Sequence, residues 1–169
     1  MHTEYSPNRK VIVLILPINN RFRPAINRHI QEEWCGPLVV TRGVIHDTSR
    51  AEGFMATDGD ALLGYVLYAI ENGRCEILVL HSLQEHCGIG KALIDAVLET
   101  AKTHGCSCVW LITTNDNLHA IRYYQRVGFS LRAVHIDAIA ESRKLKPSIP
   151  LRGNEDIPIQ HEFEFAWIF

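Results

Sequence analysis

The stretch from Leu80 to Leu93, L-H-S-L-Q-E-H-C-G-I-G-K-A-L, constrains the fold more than any other part of the chain. An apolar strand runs into a short polar loop, the loop ends in Gly88-Ile89-Gly90, and an amphipathic helix starts there. Free backbone N–H groups at the positive end of a helix favour an anion in such a loop. The stretch therefore predicts a strand-loop-helix unit that binds a phosphate group.

Two well-known phosphate loops do not fit these residues. The pattern GxxxxGK[ST] requires a glycine at position 85 and a hydroxyl at position 92, where the chain has Glu85 and Ala92. The dinucleotide-binding pattern GxGxxG requires a third glycine where Leu93 stands, and no βαβ unit opens the chain. The simpler alternative is a tight turn between a strand and a helix that binds nothing.

Length and charge narrow the class of protein. A chain of 169 residues is typical of one domain, so we predict a single domain over residues 1–169. A net charge of −2 gives no general attraction to nucleic acid or to an anionic membrane. No apolar run approaches the roughly 20 residues of a membrane span, and the polar start from Met1 to Lys10 does not have the pattern of a signal peptide.

The cysteines indicate thiols rather than a metal site. Five is an odd number, and neither Cys106 with Cys108 nor the group of His81, His86 and Cys87 has the spacing of a standard ligand set. We therefore predict no metal ion, and reduced thiols in the cytoplasm.

The first half of the chain combines one helix with strands and turns. Leu38 to Arg50 has no clean period and is predicted to be extended or looped. Two turns, Asp58-Gly59 and Glu71-Asn72-Gly73, join three strands into an antiparallel meander. The predicted elements are a strand at Lys10 to Leu16, a helix at Phe22 to Trp34, and strands at Phe54 to Thr57, Ala61 to Ile70 and Cys75 to Leu80.

The second half alternates helices and strands. The helix after Gly90 stops at Gly105, and a second helix, capped by Asn117, runs to Val127 and stops at Gly128. The remaining predicted segments are strands at Cys108 to Ile112, Phe129 to Ile139 and Ile159 to Phe169, and an irregular excursion from Ser142 to Pro158. This order predicts an α/β (α+β) domain, with a mixed central sheet of about six to seven strands and flanking helices.

A second block lies after the loop and reads N-L-H-A-I-R-Y-Y-Q-R-V-G-F from Asn117 to Phe129. Together with the strand, loop and helix around Gly88 and Gly90, it resembles the GNAT superfamily of N-acetyltransferases, whose corresponding segment is N-x-x-A-x-x-x-Y-x-x-x-G-F. The two blocks cover the middle of the chain, and the order of elements extends the resemblance over nearly all of it.

The resemblance implies acetyl-CoA as cosubstrate, with its pyrophosphate bound in the loop mainly by backbone N–H groups. Glu85 departs from the family, which usually has Arg or Gln there, and a carboxylate beside a pyrophosphate is repulsive unless it points away. Gln84 or Lys91 could supply a donor instead. The cofactor-binding residues implied are Leu78, Leu80, Glu85, His86, Cys87, Gly88, Ile89, Gly90, Lys91, Asn117 and Tyr124.

Acetyl transfer to an amine needs an acid for the departing thiolate and a base for the amine. Tyr124 matches the family tyrosine, which implies the general acid; the alternative is a tyrosine packed under its helix. Glu76 is the predicted general base, because period 2 places it on the face of Leu78 and Leu80. Its alternative is a carboxylate in solvent at the end of a strand. Other candidates for the base are Glu71, His46 and His81.

The predicted activity is transfer of an acetyl group, by direct attack, to a primary amine of a small molecule or a peptide. The acceptor is expected between the segment Leu38 to Arg50, the first helix with Trp34, and the excursion from Ser142 to Pro158. Basic residues of this excursion are either solvated or bind an acidic acceptor or the 3′-phosphate of CoA: Arg143, Lys144, Lys146 and Arg152. The alternative function is a non-catalytic module that binds CoA or a protein. The sequence leaves open whether the protein forms a homodimer.

Overall fold

A mixed sheet forms the centre of the protein, whose computed structural model describes residues 12–84 and 87–169. The strands in these ranges are β1 (Leu14–Pro17), β2 (Leu38–Thr41), β3 (Val44–Asp47), β4 (Glu52–Asp58), β5 (Ala61–Glu71), β6 (Arg74–Ser82), β7 (Cys108–Thr114), β8 (Ser130–His135) and β9 (Glu162–Ile168). The helices are α1 (Arg23–Glu33), α2 (Ile89–Thr103), α3 (Leu118–Arg126) and α4 (Ala138–Leu145).

The main sheet has the strand order β1-β4-β5-β6-β7-β9-β8, while β2 and β3 form a separate hairpin. Only one pair in the main sheet, β6 with β7, is parallel in the described part of the chain. Helix α2 connects these two parallel strands, as a crossover between parallel neighbours requires. The seven strands with flanking helices confirm the predicted α/β (α+β) class with a mixed central sheet.

Helices cover both faces of the sheet. Helix α1 buries Ile26 and Ile30 in a cluster with Met55 of β4 and Tyr65 of β5. Helix α2 buries its apolar side in a larger cluster on the other face, to which α3 contributes Tyr124. This layering gives the sheet an α1 face and an α2 face. Within the described ranges, no helix is long and apolar enough to cross a membrane.

The prediction of one strand from Phe129 to Ile139 is wrong beyond His135. Strand β8 ends there, Asp137 takes a left-handed conformation (φ 57°), and α4 begins at Ala138. A residue with positive φ interrupts an extended run, and Ile139 is then buried as part of a helix. The first residues of the predicted irregular excursion accordingly complete α4.

The segment from Leu38 to Arg50, predicted to be extended or looped, is a β-hairpin followed by one short 3₁₀ turn. Arg42 and Gly43, between β2 and β3, both have positive φ, as the central residues of a type I′ turn do. At the start of the chain, Lys10 and Val11 of the first predicted strand lie outside the described residues.

Candidate active site

Strands β6 and β7 separate part-way along their length. Their parallel ladder consists of three pairs and ends where Ile77 lies opposite Leu111. Strand β7 continues beside β9 as far as the pair of Thr114 and Glu162, while β6 continues beside β5. Backbone groups of β6 beyond Ile77 that face β7 therefore have no partner in that ladder, and they are available to a ligand in the gap.

A β-bulge at Leu78 marks the start of this gap. Leu67 pairs with Val79 and Tyr68 pairs with Ile77, so Leu78 has no partner of its own in β5. The extra residue moves the side chains that follow it to the opposite faces. Ile77 packs in the cluster on the α2 face, whereas Val79, only two residues later, packs on the α1 face.

The bulge corrects one expectation about Glu76. We predicted from strict alternation that Glu76, Leu78 and Leu80 share a face. Leu78 does pack with the cluster on the α1 face, but Leu80 packs with the cluster on the α2 face. The period-2 rule fails here because a bulge adds one residue to β6 that β5 does not match.

A cleft of about 710 Å³ opens beside the end of β6 and extends between the start of α2 and helix α3. The residues predicted to bind the cofactor that line it are Leu80, Gly88, Ile89, Gly90, Lys91, Asn117 and Tyr124. Leu78 and Cys87 are not part of its wall. Glu85 and His86 lie outside the described residues.

The two loop glycines have different physical roles. Gly88 precedes α2 with φ of +73°, a conformation that costs other residues energy, and a Cβ there would meet open space. Gly90 lies inside the first turn of α2, where a Cβ would be 2.6 Å from the hydroxyl oxygen of Tyr123. Gly88 is thus required by backbone conformation, and Gly90 by the close approach of α3.

The adjacent tyrosines of α3 differ in their surroundings. Tyr124 is 8% exposed, contacts the rings of Phe129 and Phe165, and lines the cleft. Burial raises the pKa of Tyr124 well above its usual value, so the phenol is protonated at neutral pH. Tyr123 presses its hydroxyl against Gly90, where the buried oxygen has no hydrogen-bond partner among the described residues.

Two further polar residues of the cleft wall take part in helix contacts. The side-chain oxygen of Asn117 accepts a hydrogen bond from the N–H of Ala120 over 3.1 Å, which caps α3. Lys91 forms an ion pair with Asp95 one turn further along α2. Asn117 thus has the capping role that was one of its two interpretations, while its position in the cleft leaves the other open.

Glu76 is buried on the α1 face, and the interpretation of a solvent-exposed carboxylate at a strand end is wrong. Its side chain accepts a hydrogen bond from Thr41 Oγ1 over 2.7 Å, and the residue is 6% exposed. Burial raises the pKa of Glu76 to about 7, partly offset by the hydrogen bond from Thr41. A carboxylate with such a pKa can accept a proton near neutral pH. It borders a smaller cavity with Glu71 and Trp110, separate from the cleft.

The three segments expected to enclose the acceptor meet in space. Lys146, just after α4, donates hydrogen bonds to the carbonyl oxygens of Trp34 over 2.5 Å and Leu38 over 2.7 Å. The other basic residues of the excursion also have internal partners: Arg143 donates to three backbone carbonyls, Lys144 pairs with Glu141, and Arg152 pairs with Asp156. These cations therefore stabilise the excursion itself.

Four rings form a cluster between α1, β5 and β6. The rings of His29 and His81 are 4.2 Å apart, Tyr65 shares a hydrogen bond with His29 over 2.8 Å, and Trp34 meets both imidazoles edge-on. Trp34 and His81 line the cleft. Burial and the neighbouring His29 lower the pKa of His81, so its ring is neutral at pH 7.

A model of the acetyltransferase (GNAT) family matches residues 18–129 of this chain. The chain belongs to the GNAT family. The uncharacterized protein YxbD of Bacillus subtilis (strain 168) is 34% identical to it over 149 residues, which cover 88% of this chain and 94% of YxbD.

Solved structures agree with this GNAT fold. An IAA acetyltransferase from Bacillus cereus ATCC 14579 superimposes with a TM-score of 0.70 at 20% identity, covering 94% of this chain and 100% of that one. A Bacillus subtilis acetyltransferase in complex with CoA gives a TM-score of 0.66 at 19% identity, covering 95% and 99%. At such identities the likeness supports the fold alone. The separation of β6 from β7 is observed in this chain itself.

Sequence reasoning missed Thr41 and the contact of Tyr123 with Gly90 in this GNAT domain. A signal for Thr41 was present, because Arg42-Gly43 separates two short runs rich in β-branched residues, as in a hairpin. The hairpin pattern does not reveal which face of the sheet it covers. Among the described residues, no group of three or more potential ligands is arranged to bind a metal ion.

Proposed function

We propose that this protein transfers the acetyl group of acetyl-CoA to a primary amine by direct attack. The observation that carries the proposal is the gap between β6 and β7, which begins beyond Ile77 and Leu111 beside the cleft at the start of α2. The gap offers backbone donors to a thioester, and the start of α2 offers them to a pyrophosphate.

The cleft suits the cosubstrate in its shape and its donors. At Gly88 a ligand can approach the backbone closely, because a Cβ there would point into open space, while Gly90 lets Tyr123 of α3 pack against the first turn of α2. Helix α2 directs its free N–H groups to the same place. Leu80 and Asn117 line the cleft further along, where the pantetheine arm would pass.

The proposed acid and base lie on opposite faces of the sheet. Tyr124 belongs to the α2 face, beside the cleft that would hold CoA, whereas Glu76 belongs to the α1 face, under the β2–β3 hairpin. In the tetrahedral intermediate the incoming nitrogen and the departing sulfur are separate substituents of one carbon, so different side chains can serve each of them. Glu76 is therefore assigned to the amine and Tyr124 to the sulfur.

Protons move between the acceptor, Glu76, Tyr124 and solvent. Glu76 takes a proton, directly or through a water, from the acceptor's ammonium group, and the neutral nitrogen forms a bond to the carbonyl carbon. The tetrahedral intermediate breaks its C–S bond, and the thiolate takes the Tyr124 proton. Tyr124 recovers a proton from the amide nitrogen, and Glu76 releases its proton to solvent. The products are the N-acetyl amide, CoA thiol and one proton.

The acceptor class is a primary amine of a small molecule or a peptide. Spermine/spermidine N(1)-acetyltransferase of Bacillus subtilis is 24% identical to this chain over 119 residues, and N-alpha-acetyltransferase 30 of Schizosaccharomyces pombe is 30% identical over 127 residues. Their names specify different amines. Both names specify an amine as the acceptor, and the proposal for this chain goes no further than an amine.

Two measurements test the function. Acetyl-CoA at about 100 times its dissociation constant should add about 2.7 kcal/mol to the free energy of unfolding and raise Tm by several degrees. Acetyl pantetheine, which lacks the pyrophosphate, is the matched control and should give a smaller rise. A panel of polyamines, amino acids and peptides is then screened for thiol release.

The outcomes separate the alternatives. Thiol release with at least one amine, together with the rise in Tm, supports the transferase. A rise in Tm without thiol release across the panel favours the non-catalytic CoA-binding module. An unchanged Tm at millimolar acetyl-CoA contradicts both.

A further inference from the structure

The β2–β3 hairpin brings two polar side chains to Glu76, the buried Thr41 and the mostly buried His46. Thr41 Oγ1 donates a hydrogen bond to Glu76 Oε1 over 2.7 Å. The Nε2 atom of His46 lies 2.9 Å from Thr41 Oγ1 and 3.5 Å from Glu76 Oε2. The His46 side chain is 12% exposed, so the three groups share a site that solvent hardly reaches.

The chemistry of the three groups fixes the direction of this hydrogen-bond chain. A threonine hydroxyl has one proton, and Thr41 gives it to the ionised Glu76. Its oxygen can then only accept from His46, so Nε2 carries the proton of the neutral imidazole. The chain runs from His46 through Thr41 to Glu76, and both donors favour the carboxylate over the carboxylic acid.

We propose that Thr41 and His46 are positioning residues for acetyl transfer, which hold Glu76 in one orientation and favour its proton-accepting form. The proposal rests on the proposed function, in which Glu76 is the general base. It also gives the hairpin a role in the reaction, although none of its side chains lines the cleft.

Charges around Glu76 make this support necessary. Burial raises the pKa of the carboxyl group, and the carboxylates of Glu71 on β5 and Glu162 on β9 raise it further. The hydrogen bond from Thr41 and the charge of Arg74 lower it. For His46, burial lowers the pKa while Glu71 raises it, so the ring stays mostly neutral at pH 7 and keeps its role as a donor.

Paired substitutions test the chain through the pH profile of kcat/KM. Thr41→Val removes the hydroxyl and Thr41→Ser retains it; His46→Phe removes the donor and His46→Gln retains an N–H near the position of Nε2. We expect Thr41→Val and His46→Phe to move the acid limb upward by about one pH unit, the size expected for one hydrogen bond to a charged group. Thr41→Ser and His46→Gln should keep the limb near that of the natural protein.

Thermal unfolding as a function of pH gives a second measurement that needs no turnover. Thr41→Val should change the pH dependence of Tm when Glu76 is present and leave it unchanged in the background of Glu76→Gln. His46→Phe also removes the titration of the imidazole itself, so its effect is corrected by the effect of the same substitution in the Glu76→Gln background. If either variant does not fold, the other decides.

These measurements distinguish the possible failures. An active Thr41→Val variant with an unmoved acid limb overturns the positioning role and leaves the proposed function intact. An effect of Thr41→Val on the pH dependence of Tm that persists with Glu76→Gln overturns the chain itself. If the natural protein releases no thiol with any amine, the proposed function fails and the positioning role fails with it, whatever the unfolding data show.

Discussion

The cleft at the start of α2 and the buried cluster around Glu76 are built in opposite ways. The cleft depends on backbone conformation and small residues, above all Gly88 and Gly90. The Glu76 cluster depends on side chains, with Thr41 and His46 brought from 35 and 30 positions away in the chain. One region is proposed to present N–H groups to an anion, and the other encloses a carboxylate that ionises near neutral pH.

The two regions are therefore sensitive to different kinds of substitution. Backbone donors survive most substitutions of side chains, so binding at the cleft should fail only when a glycine or the helix packing changes. A buried ionisable group depends on each partner, because burial leaves no water to replace a lost hydrogen bond. Substitutions should therefore separate binding from chemistry cleanly.

The largest expected effect comes from Glu76→Gln. Removing a general base typically costs about 10²- to 10⁴-fold in rate, while the rise of Tm with acetyl-CoA should persist because the cleft is untouched. Steady-state thiol release measures the reaction rate, and the thermal shift measures the binding of acetyl-CoA. Glu99→Gln, at an exposed carboxylate of α2, is the matched control. Full activity of Glu76→Gln would break the assignment of the base.

Stability as a function of pH should show the buried carboxyl directly. Glu76 has a pKa of about 7 in the folded protein, compared with about 4.3 when unfolded, so the folded state holds the proton over this window. Its contribution to stability is fully present below about pH 4 and is lost as pH rises towards 7, by about 3–4 kcal/mol. Denaturant titrations of the natural protein and Glu76→Gln should differ by this slope. Parallel curves would contradict the raised pKa.

Tyr124→Phe should have a smaller effect on rate, about 10- to 100-fold, because a thiolate with a pKa of about 8.5 departs readily even without an acid. The acetyl-CoA thermal shift should remain. Tyr123→Phe is the control in the adjacent position. It should be active and as stable as the natural protein or more so, since no residue within 12–84 or 87–169 forms a hydrogen bond with the buried hydroxyl. Equal rates for both variants would remove Tyr124 from its role.

The smallest effects concern the two glycines. Gly90→Ala should destabilise the protein by about 1–3 kcal/mol through the contact with Tyr123, and Tyr123→Phe should recover part of the loss. Gly88→Ala should cost about 1–2 kcal/mol from its positive φ, with no recovery by Tyr123→Phe. A double-mutant cycle measured by denaturant unfolding checks both. If Tyr123→Phe restored the same stability to Gly88→Ala as to Gly90→Ala, the separate roles of the two glycines would be contradicted.

Much of the fold could be predicted because its signals are local. Turns such as Asn72-Gly73, the cap Asn117 and the stop Gly128 fix the ends of elements through backbone chemistry within a few residues. The bulge at Leu78 could not be predicted in this way, since it exists only as a mismatch between two paired strands. The same holds for Asp137, whose left-handed conformation ends β8 inside an apolar run.

Residues close together in the chain were enough to identify the Gly88-Ile89-Gly90 loop, the pattern around Tyr124 and the GNAT family. The contact of Tyr123 with Gly90, and the burial of Glu76 beneath the hairpin with Thr41 and His46, emerged only from the packing of distant segments. The physical reason is that a strand's alternation gives two faces, while burial and pKa depend on what other segments place against each face.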